Sequence, residues 1–152
     1  MTSTDRIQKE IFLKAPRKRV WRALTDPKEF GQWFRVKLAN SFVAGARASG
    51  QVTYEGYEHC VFNVAVEQLV PERLLSWRWV PHAVDPARDY SGEPTTLVVF
   101  ELEAVSGGTL LKVSESGFDK VPASRREQAY RGNESGWVLQ LENIAKHVDS
   151  AR

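Results

Sequence analysis

The stretch SRREQAYRGNESGWVLQLENIAKHV, Ser124 to Val148, decides the fold. Tyr130, Asn133, Trp137, Leu141, Ile144, Ala145 and Val148 recur there at three- and four-residue steps, which predicts one long amphipathic helix with a buried face. Ser124 and Glu127 have the spacing of a capping box, and 25 residues at about 1.5 Å each span roughly 37 Å, enough to cross a small domain. Gly132 and Gly136 lie one turn apart inside the pattern, each costing about 1 kcal/mol relative to alanine. Something must approach the helix closely at those points, either a packed sheet or a ligand.

Working back from that helix, Arg6 to Lys14 reads as a first strand. Ala15-Pro16 opens a short helix carrying Val20, Trp21 and Leu24, with Pro16 suited to its first position. A second helix starts on Asp26 as cap, with Pro27 first and Glu29 three residues beyond the cap, and carries Phe30, Trp33 and Phe34. Val36 to Gly50 predicts a loop or irregular edge. Strands follow over Gln51 to Tyr54, Cys60 to Leu69 and Arg73 to Val80, and after a long exposed loop from Pro81 to Pro94 a hairpin covers Thr95 to Glu103 and Thr109 to Ser116. Helices segregated from an antiparallel sheet of about six strands make an α+β layout in one domain, residues 1 to 152. Alternation turns Leu75, Trp77 and Trp79, then Val98, Phe100 and Leu102, then Leu111, Val113 and Glu115 toward the long helix.

The totals narrow the function classes. A net charge of +2, without a basic stripe, predicts no nucleic-acid partner, and the absence of an 18-residue apolar run predicts no membrane span. One cysteine, Cys60, excludes an internal disulfide and reads as a small buried apolar group; with no apolar N-terminal run, a cytoplasmic location is expected. His59, His82 and His147 have no metal spacing, and no phosphate-cradling glycine loop or nucleophile motif is present, so neither metal nor cofactor is expected.

Glu115 is the most informative polar residue. An inward carboxylate must be paired or wet. It either works as a general acid or base, or accepts a ligand hydroxyl, or serves structurally by capping backbone groups or pairing with an arginine such as Arg131. Trp33, Trp77, Trp79 and Trp137 offer apolar faces and one N–H donor each, suited to core packing or to an aromatic pocket. Tyr130 and Asn133 precede Trp137 on its helical face, where they would orient a ligand or bond to the sheet rim.

Taken together, the opening strand, Ala15-Pro16 with Val20-Trp21 and Ala23-Leu24-Thr25, Pro27, Phe30 and Trp33-Phe34, Pro71-Glu72-Arg73-Leu74 with Ser76-Trp77, Val113, Glu115-Ser116-Gly117-Phe118, and Gly136-Trp137 with Leu141 resemble the START-like (SRPBCC) superfamily. Within it they resemble most the Hsp90 ATPase activator homologue 1-like (AHSA1-like) family. The resemblance spans essentially the whole chain. It implies a helix-grip fold, a curved sheet wrapped around the C-terminal helix, with a cavity between them for an apolar or aromatic small molecule. The ligand-binding residues expected on this basis are Trp33, Trp77, Trp79, Val113, Glu115, Phe118, Tyr130, Asn133 and Trp137. A binding protein is placed first. A cyclase- or hydrolase-type enzyme using Glu115 as general acid/base comes second, and a co-chaperone-like module third, since the chain is expected to hold only one domain. An exposed strand edge or the outer sheet face leaves room for a homodimer.

Overall fold

A computed structural model describes residues 6–85 and 87–150. Strand β1 (Arg6–Leu13) leads into helices α1 (Arg17–Thr25) and α2 (Pro27–Phe34). Strands β2 (Val36–Leu38), β3 (Arg47–Val52), β4 (Val61–Val70), β5 (Leu74–Trp79), β6 (Thr96–Val105) and β7 (Gly108–Ser116) follow, and helix α3 (Ala123–Ser150) closes the chain. All seven strands form one curved antiparallel sheet in the order β1-β7-β6-β5-β4-β3-β2, and α3 packs along its concave face in a helix-grip arrangement.

The long helix is the predicted one, begun a residue earlier, so Ser124 sits inside the first turn instead of capping it. Its buried stripe is Arg125, Ala129, Trp137, Leu141, Ile144 and Val148, spaced by three and four residues or multiples of four. The alternation also places the sheet's apolar face as expected. Leu75 and Trp77, Val98, Phe100 and Leu102, and Leu111, Val113 and Glu115 are all buried. Strand register aligns Ile7, Glu115, Val98 and Trp77 in one row across β1, β7, β6 and β5. A carboxylate therefore lies in the middle of an apolar row.

At the start of α2, the Asp26 carboxylate accepts the Glu29 N–H at 3.0 Å with Pro27 in the first turn, as the sequence predicts. The reciprocal arm of the capping box is not made. The Asp26 N–H already donates to the Arg22 carbonyl at the end of α1, and the Glu29 carboxylate turns to Arg19, Arg22 and His147. Pro16 is the cap of α1 and not its first residue.

Two expectations need correction. Val36 to Gly50, read as a loop or irregular edge, holds the regular edge strand β2 and most of β3, which raises the strand count to seven. Gly50 serves the close approach of β2 to β3, since a Cβ there would stand 2.4 Å from the Lys37 carbonyl oxygen. The Pro81 to Pro94 loop is not exposed throughout, because Pro81 is buried and His82 half-buried against α3; Pro86 lies outside the described residues. Among the described residues, no helix is long and apolar enough to cross a membrane.

Candidate ligand-binding site

Glu115, one residue before the end of β7, faces α3 wholly buried, with no cation paired to it among the described residues. Hydrogen bonds alone satisfy it. The indole N–H of Trp137 donates to Oε1 at 2.8 Å and that of Trp79 to Oε2 at 2.8 Å. The Thr96 hydroxyl donates to Oε2 at 2.5 Å, and the Asn133 amide lies 3.0 Å from both oxygens. A carboxylate has about four acceptor positions, and this donor set fills them. Arg131 is not its partner; it projects into solvent and pairs with Glu127 one turn earlier.

The carboxylate thus sets the orientation of two indoles. Trp79 and Trp137 stack with centroids 5.9 Å apart and planes 28° from parallel. With Phe34 they wall a cleft of about 350 Å³ that opens between α3 and the β3-β4 end of the sheet. Tyr54, Tyr57 and Leu139 stand at the same cleft, and Gly136 forms part of its floor. A Cβ at Gly136 would meet nothing within 4 Å. That glycine borders open space, whereas Gly132 is filled from outside: a Cβ there would lie 2.7 Å from Cε1 of His82.

His82 belongs to the loop between β5 and β6, which covers one side of the cleft. Its backbone is left-handed, at φ 53°. Burial, and then the nearby Arg125 charge, hold its imidazole below the usual histidine range. Arg125 at the start of α3 ties this loop down, donating from Nε to Glu93 at 2.8 Å and from Nη1 to the Pro81 carbonyl at 2.9 Å. Its guanidinium also lies over the Tyr90 ring, 5.0 Å from the centroid. Under the loop the cleft continues into a larger groove of about 850 Å³ that shares Phe34, Cys60, Trp79, His82 and Asn133 with the smaller one.

Of the residues proposed from sequence, Trp79, Asn133 and Trp137 border the cleft, and Glu115 lies directly behind them. The others do not join it. Trp77 is buried among Phe30, Phe42, Phe62 and Phe100, and its N–H has no hydrogen-bond acceptor among the described residues. Trp33 packs under α1 and donates to the Ala23 carbonyl at 2.7 Å. Val113 is core, and Phe118 is core against the Tyr130 ring. The Tyr130 hydroxyl donates to the Arg6 carbonyl at 3.0 Å, at the sheet rim, and burial followed by the Glu134 charge raises its pKa.

Cys60, expected to be core, is half-buried on the cleft wall, where burial pushes its thiol pKa up. Sequence reasoning missed Thr96, His82 and Arg35. Thr96 was accessible to it, standing two residues before Val98 on the same strand face. The left-handed backbone of the other two leaves no trace in residue type.

A family profile described as "Activator of Hsp90 ATPase homolog 1-like protein" matches residues 14–149. No curated protein matches the chain by sequence. Among solved structures, protein MLL2253 from Mesorhizobium loti is 27% identical, with a TM-score of 0.77 over 97% of this chain and 98% of that one. The Aha1 dimer from Colwellia psychrerythraea is 17% identical, with a TM-score of 0.71 over 97% of this chain and 98% of that one. DynU16, from the dynemicin biosynthetic locus, is 22% identical with a TM-score of 0.73; the match covers 97% of this chain but 48% of DynU16.

Proposed function

This chain belongs to the Activator of Hsp90 ATPase homolog 1-like family, and within it we propose that the protein binds an apolar or aromatic small molecule in the cleft between sheet and C-terminal helix. The observation that carries this reading is the contrast at α3: a helix glycine, Gly136, borders unfilled space beside two indoles held edge-on by one buried carboxylate. A helix under no other demand would gain about 1 kcal/mol from alanine there. The cleft is at the small end of the size range for small-molecule sites and is lined mainly by aromatic and apolar groups.

In this reading Glu115 is a positioning residue. Both of its oxygens are occupied by Trp79, Thr96, Asn133 and Trp137, so its role is to hold the walls, which favours binding over proton transfer. Asn133, whose amide N–H₂ bonds both Glu115 oxygens, also lines the cleft and so ties the carboxylate to the ligand's space.

Tryptophan fluorescence of the pure protein, titrated with flavones, anthraquinones, sterols and fatty acids, tests the proposal. A saturable change with at least one compound is expected. Gly136→Leu, which fills the cleft without altering either indole, should weaken it at least about tenfold. Silence across the whole panel, or a response that Gly136→Leu leaves unchanged, would overturn the reading.

A further inference from the structure

The cleft's electrostatics say more about the ligand than its shape does. Arg35 is the one formally charged residue lining the 350 Å³ cleft among the described residues. Glu115, the nearest carboxylate behind that wall, is saturated by its own donors. Arg35 is exposed at the mouth, and no ion pair or side-chain hydrogen bond engages it among the described residues.

The backbone at Arg35 is equally informative. It caps the end of α2 in the left-handed region, at φ 69° and ψ 58°, a position where glycine is favoured and an arginine costs about 1 kcal/mol. The position is held firmly: the Arg35 N–H donates to the Gly31 carbonyl at 3.0 Å, and its carbonyl accepts from Thr53 at 2.9 Å. Three non-glycine residues among those described have positive φ, namely Arg35, Glu72 and His82, and two of them line this cleft. Strain concentrated at one site is an observation to be explained by what the site does.

We infer that the ligand is a planar aromatic carboxylate, with its rings against Trp79 and Trp137 and its anion met by the Arg35 guanidinium. The two flat indoles and Phe34 accept a ring system by stacking. A guanidinium receives a carboxylate through two parallel N–H bonds, which favours that anion over an uncharged group of the same shape. No acidic side chain on this wall opposes it. The inference rests on the binding reading above and specifies its ligand.

The test uses calorimetric titration with a matched pair, 2-naphthoate and 2-naphthamide, which share the ring and differ in charge. The naphthoate should bind the native protein about tenfold more tightly than the amide. Arg35→Gly should weaken the naphthoate about tenfold and the amide far less, so that the preference disappears. It should also raise the melting temperature, because glycine suits the left-handed cap, so the lost selectivity cannot come from unfolding.

Equal affinities for the two probes on the native protein, or a preference that survives Arg35→Gly, would overturn the carboxylate assignment and leave the binding reading intact. Absence of binding by either probe while an uncharged flavone binds would do the same. Silence from every probe, charged and uncharged, would overturn both.

Discussion

The indoles of Trp79 and Trp137 stack 5.9 Å apart, although one comes from the end of a strand and the other from the middle of the terminal helix. Their N–H groups meet opposite oxygens of Glu115. Both indoles can only donate, so the group between them must only accept. Glu115→Gln puts an amide NH₂ against one of those donors in a buried place. The expected cost is about 2–3 kcal/mol in urea unfolding, with an altered near-ultraviolet signal from tryptophan. An unchanged unfolding midpoint would mean that the carboxylate does not organise the site.

The two helix glycines should respond to alanine with opposite signs. Gly136→Ala meets open space and should stabilise the helix by about 1 kcal/mol in thermal unfolding. Gly132→Ala drives a methyl group into the His82 ring and should destabilise. Adding His82→Ala to Gly132→Ala should recover most of that loss, a coupling that a double-mutant cycle measures.

His82 should make stability depend on pH just below neutrality. Burial, and secondarily Arg125, depress its folded-state pKa below the ordinary value of about 6.5. The folded form therefore binds fewer protons, and the contribution is complete above that value and lost as pH falls from it through the lower folded one. Unfolding measured from pH 8 to pH 5 should show the native protein losing stability relative to His82→Gln, and amide exchange in the 81–94 loop should quicken over the same range.

Glu29 should govern a second, more acidic transition. Burial raises its pKa, but bonds from His147, Arg19 and Arg22 outweigh burial and leave it below the ordinary range. The stability it contributes is present above the unfolded carboxyl's value of about 4.3 and disappears as pH falls through the folded one. Glu29→Gln should therefore be less stable than the native protein at pH 7, and the gap should close toward pH 3. A constant gap would assign the loss to packing alone.

Residue pattern exposes much of this architecture. Helix periodicity places Trp137 and Leu141 inward, and strand alternation turns Glu115 toward the helix, because both periods are imposed locally by the backbone. The partners of Glu115 are another matter. Trp79 and Thr96 reach it from 36 and 19 residues away through strand register, which local pattern does not encode. Trp77 and Trp79 share a face by alternation, yet Phe30 and Phe42 cover the first, while the second sits at the strand's end beside the cleft. The segment from Val36 to Gly50 misleads because its Asn, Ser and Gly residues look like a loop, although Gly50 is there for close strand contact.

The sheet order also carries a consequence for the path to the folded state. β1 pairs along its whole length with β7, about a hundred residues downstream, and with no other strand among the described residues. β1 cannot complete its pairing until β7, the last strand in chain order, is in place. Until the 96–116 hairpin exists, Ile7 and the hydrogen-bonding edge of β1 have nothing to rest on, and the loop closure that joins them must precede most of the reward. The terminal helix packs over that seam, so the chain gains little by folding piecemeal. Such a strand order favours a single cooperative transition that is slow to start, because the non-local pairing bears its loop-closure cost first.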